Sequence, residues 1–527
     1  MGKNKLNYTG RKYLATNPDV DIVKIKTERN SLGTLKTVLV LLGVALQFCL
    51  LVLAYHYLLT FFKWFTIVSI VFSFIACIYV LSSNKNSQSK PIWVFFLLIC
   101  PTFSYLIYIG SSVRVFWGKR KKIYNKILER SYAHIGVSNC EIKNKEIENE
   151  CKYLQKAGNF VSYTNTDTKY FPSGASLFDD VLAELERAER FIFIEYYIIA
   201  NGILLNKFLT ILKEKVKQGV DVRIIYDDFG SHGSLKRATK KEIKNAGIKL
   251  FTFNKVLPQF KILYNFRDHR KIVVIDGKVA YTGGANLADE YVNEKRSHGY
   301  WKDAGVRIKG PAVDGFTLMF LRQWEFVSKQ EVSYEKYLRL SEPTNNSSVV
   351  VPYADGLDYP DNIGKNAYTN LIANANEKLY IMSPYLVVDD TITNLLINKA
   401  KSGVDVRIIL PGIADKQIVY IVSRNSAEKL IESGVKVYTM KSSFVHSKVL
   451  LNENDAIIGT MNMDLRSFYQ QFECAVLLND KNTLVEIEND FRTTFEQSVL
   501  IDETNKKRNK FLFRVVAGIV NLVSPFM

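Results

Sequence analysis

The feature that most constrains this chain is an internal repeat. Lys217–Ile225 reads KQGVDVRII, and 184 residues later Lys401–Ile409 reads KSGVDVRII. Before each copy lies an apolar run with the pattern of a buried strand, FIFIEYYI at Phe191–Ile198 and LYIMSPYL at Leu379–Leu386. After each copy a helix end feeds another strand, at Ala246–Leu250 and Ser433–Val437. Amphipathic helical runs at 178–189 and 391–402 alternate with these strands. Self-similarity over such a span marks a duplicated structural unit. Strands alternating with helices mark α/β layers. The expected architecture is therefore a duplicated α/β domain, with halves at 160–335 and 345–500.

Each half carries the same polar constellation. The first is His269, Lys271 and Asp276 followed by Gly283-Gly284 and Asn286; the second is His446, Lys448 and Glu453 followed by Gly459-Thr460 and Asn462. On a strand, residues i and i+2 share a face, so His and Lys project together while the apolar residues after them return to the core. The glycine turn lets the chain double back and bring the Asn beside the pair. This set suits a phosphodiester: Lys and Asn donate to non-bridging oxygens, one His attacks phosphorus, and a second His protonates the leaving alcohol. Metal binding fits poorly, because a lysine two residues from each His would repel a divalent ion and no carboxylate cluster accompanies it. Asp303 and Glu473 follow the two motifs on apolar strands, where a lone acid needs a reason. Holding the far ring nitrogen of a catalytic His is such a reason. His56, His134, His232 and His298 lie in the apolar block, a linker and polar loops, and carry no such pattern.

Ahead of the repeat, apolar stretches at about 37–62, 64–82 and 91–112 each approach or exceed the roughly 18 residues that cross a bilayer. Pro101 would kink the third, which membrane helices tolerate. No cleavable leader is expected, since the first apolar run starts late and lacks a small-residue cleavage site. The net charge of +18 is concentrated beside this block. Residues 1–36 hold eight basic and three acidic side chains, 113–130 hold seven and one, and 501–514 hold five and two. Charge so placed favours anionic lipid over nucleic acid as the partner. The expected layout is a basic segment at 1–36, a transmembrane region of two or three helices at 37–115 and a basic linker helix at 116–159. Both flanks of the block are basic, which asks for an even number of crossings. Lys119–Lys122 (KRKK) directly after it puts the catalytic part on the cytoplasmic face. Six cysteines without a C-x-x-C pair agree with a reducing compartment. At 501–527, Phe511, Leu512, Val515, Val516, Ile519, Leu522 and Val523 recur at helical spacing after a basic start. They suggest an amphipathic helix lying in the headgroup plane.

The paired motifs resemble the HxKxxxxD signature of the phospholipase D superfamily, and their surroundings resemble those of bacterial cardiolipin synthases. The resemblance runs over nearly the whole chain. It takes in Trp93, Pro101 and Tyr105–Tyr108, the run Tyr226–Ser231, the run Gly459–Ser467, and the closing Ser524–Met527. It implies two α/β/α halves with mixed sheets behind a transmembrane helical region. It also implies transfer of a phosphatidyl group from one phosphatidylglycerol to another, giving cardiolipin and glycerol without metal or cofactor. The catalytic set carried over is His269, Lys271, Asp276, His446, Lys448 and Glu453. His269 would be the nucleophile and His446 the general acid and base, an assignment the pseudo-symmetry of the halves allows to be reversed. Asn286 and Asn462 would bind the substrate phosphate, and Asp303 and Glu473 would orient the histidines. This chain departs from the pattern in two ways. Glu453 stands where Asp is usual, and the turn after it is one residue short; the Asp position is generally structural, so an altered hairpin and an intact site are expected. A phospholipase D-type hydrolase, or a phosphatidyltransferase with another acceptor, would show the same residues. A nuclease would need no apolar block, and a scaffold would not need both H-x-K pairs.

Overall fold

The computed structural model describes residues 42–53, 55, 63–83, 90–100, 104, 108, 114–136, 140, 142, 144–255, 266–356 and 359–501. Two units are present, Met1–Val113 and Arg114–Met527. The basic segment 1–36, His56, Pro101 and the C-terminal run 502–527 lie outside the described residues.

In the second unit the repeat becomes two sheets. The first half supplies β1 (Asp167–Phe171), β2 (Phe191–Tyr196), β3 (Asp221–Asp227), β4 (Lys249–Phe253), β5 (Arg267–Asp268), β6 (Lys271–Ile275), β7 (Val279–Gly283), β8 (Tyr300–Lys302) and β9 (Gly305–Lys309). The second supplies β10 (Val350–Asp355), β11 (Lys378–Met382), β12 (Leu386–Val387), β13 (Asp405–Pro411), β14 (Lys436–Met440), β15 (Ser443–Val445), β16 (Val449–Leu451), β17 (Ala456–Gly459), β18 (Met463–Asp464), β19 (Gln471–Leu478) and β20 (Ser498–Leu500). Strand order is β1-β9-β7-β6-β2-β3-β4 in one sheet and β10-β19-β17-β16-β11-β13-β14-β20 in the other. β2-β3-β4 and β11-β13-β14 are parallel, and the motif hairpins β6-β7 and β16-β17 are antiparallel, so both sheets are mixed.

The repeated nonapeptide is architectural. Its glycines, Gly219 and Gly403, have φ of 89° and 94° just past the helices Ile203–Lys217 and Asp390–Lys401. A left-handed residue there ends a helix, and glycine adopts it without a Cβ penalty. The Asp-x-Arg that follows is an ion pair at the start of each central strand, Asp221–Arg223 at 2.7 Å and Asp405–Arg407 at 2.6 Å. Lys249 and Lys436 close on the same acids at 2.7 Å. The guanidiniums lie over aromatic rings, Phe193, Trp324 and Tyr337 for Arg223, and Tyr380 and Phe495 for Arg407. Each copy thus turns a helix into a buried strand and pins a layer of aromatic side chains.

The halves do not fold side by side as independent domains. Phe193, Ile272 and Val274 of the first sheet share one apolar core with Val351, Ile458 and Leu477 of the second. Two short parallel pairings also cross between halves: β5 with β19 (Asp268 opposite Phe472) and β8 with β15 (Lys302 opposite Val445). The expected single linker helix at 116–159 is two helices, Arg114–Tyr132 and Lys145–Gly158, broken between them and packed into that core through Tyr124, Leu128, Ile147, Cys151 and Leu154.

Among the described residues of the first unit, one helix contains a span long and apolar enough to cross a membrane, Phe65–Ser82. The other expected segments appear as the shorter apolar helices Leu42–Leu53 and Lys90–Ile99. The helix Lys63–Ser82 packs against Lys90–Ile99, where the Ser73 hydroxyl donates to Leu97 O and Lys90 Nζ donates to Leu81 O at 2.8 Å.

Candidate active site

The crossed strand pairs end at the two histidines. His269 N–H donates to Phe472 O at 2.8 Å, and His446 N–H donates to Lys302 O at 2.7 Å. Each His is seated against the other half's strand, one residue before that half's acid. The acid contacts are therefore crossed. His269 Nδ1 is 2.9 Å from both oxygens of Glu473, and His446 Nδ1 is 2.8 Å from Asp303 Oδ2. All four side chains are buried. A carboxylate on Nδ1 holds the hydrogen there and leaves the Nε2 lone pair for chemistry.

The acids are themselves braced. Ala304 N–H donates to Asp303 Oδ1 at 2.8 Å, and the Thr460 hydroxyl donates to Glu473. Gln471, with its amide nitrogen toward the acid, donates to Glu473 Oε1 at 2.9 Å. The matching position to Thr460 is Gly284, where a Cβ would fall 2.1 Å from Asp303 Oδ1 and 2.7 Å from His446 O. That packing requires Gly-Gly in the first turn, whereas the second turn uses the space for a hydroxyl. Aromatic rings fix the imidazoles from the side: Tyr197 on His269 (5.0 Å between centroids), and Tyr291 and Trp301 on His446 (5.2 and 5.4 Å).

The lysines fold back over their own histidines. Lys271 Nζ donates to His269 O at 2.5 Å; Lys448 Nζ donates to His446 O and lies 2.8 Å from His446 Nδ1. Burial lowers both ammonium groups, Lys271 to about 8 and Lys448 to about 7. Burial and then Lys448 lower His446 to about 4. Burial, Lys271 and Lys448, with Arg466 and Lys416 beyond them, hold His269 well below the usual imidazole range. Burial raises Glu473 to about 7 against the pull of Lys271. Lys448 acts on His269 and Lys271 on His446, so each half's lysine acts on the other half's histidine. An anionic phosphodiester entering this field would reverse its sign, keep the lysines charged, and let an imidazole take a proton.

The asparagines are placed less directly. Asn286 Oδ1 accepts from Ile198 N–H at 3.0 Å and its amide donates to the Tyr291 hydroxyl at 2.7 Å, which braces the ring against His446. Asn462 donates to Asp464 Oδ2 at 3.1 Å, and its buried Oδ1 has no partner among the described residues. Asp276 and Glu453 do not join the site, which corrects their place in the catalytic set. They sit at the far ends of β6 and β16, where a strand's rise carries them away from the histidines. Asp276 accepts from Glu189, Arg190 and Phe191 N–H at 2.8–2.9 Å, capping the entry to β2. Glu453 accepts from Asn376, Glu377 and Lys378 N–H at 2.7, 3.3 and 3.3 Å, doing the same for β11 from the shortened turn. Thr460, Gln471, Tyr197 and Tyr291 were missed by the sequence reading. Thr460 lies inside a quoted motif, but nothing local marks the aromatics as ring supports. Among the described residues no group of three or more His, Cys, Asp or Glu is placed to hold a metal ion.

The family described as "Cardiolipin synthase, PLD-like domain" matches residues 181–313 and 368–496, one segment in each half. The chain is 36% identical over 463 residues to an uncharacterized protein of Streptococcus mutans serotype c, covering 85% of this chain and 99% of that one. It is 32% identical over 463 residues to a cardiolipin synthase of Alkalihalophilus pseudofirmus, covering 85% and 91%. With a cardiolipin synthase of Geobacillus kaustophilus it shares 35% identity over 367 residues, covering 69% and 72%. Among solved structures, a phosphatidylserine synthase of Haemophilus influenzae superposes with a TM-score of 0.56 at 15% identity, covering 73% of this chain and all of that one, a likeness of fold. By this identity over most of its length, the chain belongs to the cardiolipin synthase family of phospholipase D-like proteins.

Proposed function

We propose that the protein is a membrane-bound phosphatidyltransferase that makes cardiolipin from two molecules of phosphatidylglycerol. The observation that carries this reading is the crossed pair of carboxylate-held histidines beneath two buried lysines. His269 Nε2 attacks the phosphorus of the donor lipid, forming a P–N bond as the P–O bond to the headgroup glycerol breaks. His446 gives its proton to the departing oxygen. A terminal hydroxyl of the second phosphatidylglycerol then attacks phosphorus, His446 takes that proton, and the P–N bond breaks. Lys271 and Lys448 balance the charge gathering on the non-bridging oxygens. Asp303 and Glu473 hold the imidazoles in the reacting tautomer. The apolar first unit and the basic residues at 114–130 support membrane insertion with the catalytic unit on the cytoplasmic face.

Purified protein given phosphatidylglycerol alone should release cardiolipin and glycerol in equal amounts by mass spectrometry. Phosphatidate in place of cardiolipin would show a hydrolase. Rapid denaturation at neutral to mildly alkaline pH, where a P–N bond survives, should trap a phosphatidyl adduct that His269→Ala abolishes. His446→Ala should slow adduct formation about 10²–10⁴-fold, the usual worth of acid catalysis. Because the acids are crossed, Glu473→Gln should impair adduct formation as His269 variants do, although Glu473 belongs to the other half. An adduct trapped in His269→Ala would reverse the two roles.

A further inference from the structure

Two cations outside the paired motifs act on His269 without an ion pair among the described residues. Arg466, in the short helix Leu465–Tyr469, is half-buried, and its Nε donates to Gln471 Oε1 at 3.1 Å. Through Gln471 one edge of the guanidinium is tied to Glu473, while no acid among the described residues pairs with the rest. By contrast Arg223, Arg267, Arg270, Arg307 and Arg407 each lie 2.6–3.7 Å from a carboxylate oxygen. A guanidinium withdrawn from water without a counter-ion is costly, and the cost is recovered when an anion arrives. Lys416 comes from a separate element, the residue before the helix Gln417–Ile431. Its Nζ lies 5.8 Å from the Tyr385 ring, with no ion pair among the described residues. Both charges reach His269. The neighbouring Asp415 acts on Tyr291, the ring packed on His446. Arg466 thus adjoins the His269–Glu473 pair through Gln471, and Lys416 adds its charge at the same histidine.

The first half has no equivalent of Arg466, although Lys236 precedes the helix Arg237–Asn245 as Lys416 precedes Gln417–Ile431. Four residues after Asn286, where Arg466 follows Asn462, stands Glu290, neutralised by Lys295 at 2.6 Å. The site is thus duplicated in its chemistry but not in its outer charge. One diester carries one negative charge, and Lys271 and Lys448 stand over the histidines to receive it. A second pair of cations anticipates a second anion, and in a transfer between two phosphatidylglycerols the acceptor brings one, three carbons from its attacking hydroxyl.

We infer that Arg466 and Lys416 form the subsite for the phosphate of the acceptor lipid. This rests on the phosphatidyltransferase reading above, and the test separates the two. The full-length protein in detergent micelles, given phosphatidylglycerol and deuterated glycerol, offers two outcomes for the same phosphatidyl-enzyme. Exchange of glycerol needs only the donor site and a neutral alcohol; cardiolipin needs an anionic acceptor. Mass spectrometry of one sample gives the ratio of the two products. Arg466→Gln should lower the ratio of cardiolipin to exchanged lipid about tenfold and Lys416→Ala about threefold, with the two factors multiplying in the double variant. Arg466→Lys should restore most of the ratio even if both rates fall with the lost Gln471 contact. A ratio unchanged in every variant, or both products falling in equal proportion, would show that these residues only brace Glu473 and would overturn the inference. If the wild-type protein makes neither product, the phosphatidyltransferase reading itself fails.

Discussion

The lysines of the paired motifs are the most pH-sensitive part of the site. Burial has lowered Lys448 to about 7 and Lys271 to about 8, while His446 at about 4 is already neutral through the working range. For a cation with a lowered pKa, charge is full below that value and is lost as pH rises through it. Capture of an anionic lipid by the free enzyme should therefore fall as pH passes about 7. It should fall further near 8 as Lys271 follows. Arg holds its proton well above this range. Lys448→Arg should remove the first inflection from the kcat/KM profile and leave the second, at a lower absolute rate. An inflection near 7 that survives in Lys448→Arg would assign that titration to Glu473, the other group raised to about 7 in the site. His269, Lys271, His446 and Lys448 are legible in the sequence because a strand's two-residue period puts each His and Lys on one face. The crossing of Glu473 to His269 and Asp303 to His446 is not. It depends on which strand meets which across the halves, and two-residue pairings such as β5 with β19 leave no periodicity to read.

At the level of elements, each motif hairpin is tied to the neighbouring strand by the acid at its turn. Asp276 does this within an Asp-Gly turn, both residues having positive φ (55° and 67°), and satisfies three backbone donors at 2.8–2.9 Å. Glu453 reaches its three donors across a different turn and makes only one short bond, at 2.7 Å. Hydrogen bonds weaken as they lengthen, and a buried donor left unpaired costs about 1–3 kcal/mol. Asp276→Ala should therefore destabilise the catalytic unit by roughly 3 kcal/mol, and Glu453→Ala by about 1 kcal/mol. Thermal unfolding in detergent should show the larger drop in Tm for Asp276→Ala. With both acids outside the pocket, kcat per folded molecule should hold; a kcat loss without a Tm change would return them to the chemistry. The repeat KQGVDVRII made the duplication plain because each of its parts serves packing: the glycine ends a helix, and the Asp–Arg pair opens a strand. The break between the helices Arg114–Tyr132 and Lys145–Gly158 had a weaker signal, since the basic run before it reads as continuous helix and its burial is decided by Tyr124 and Ile147 meeting a distant core.

For the molecule as a whole, the first unit presents a largely apolar surface. Along Phe65–Leu81, eleven large hydrophobic side chains are exposed, among them Phe65 at 52%, Phe74 at 63% and Ile75 at 55%. Fully burying a large apolar side chain is worth about 1.5–3 kcal/mol, and with these about half exposed they together leave on the order of 10 kcal/mol unclaimed in water. A folded protein has a margin of only about 5–15 kcal/mol, so water is the wrong solvent for this face. On the membrane-bound reading lipid would supply the missing apolar contact, and the Phe65–Ser82 span has the length to cross its hydrocarbon core. The basic residues at 114–130 add attraction to anionic headgroups of about 1 kcal/mol each, a contribution that salt screens. These two terms respond differently to extraction. The full-length protein should stay with the membrane pellet through both high-salt and alkaline carbonate washes, because neither changes the transfer energy of an apolar helix. A chain beginning at Arg114 keeps the basic residues without that helix, and high salt should release it. Release of the full-length protein by carbonate would mean that Phe65–Ser82 does not span, and that the apolar face is covered by protein instead.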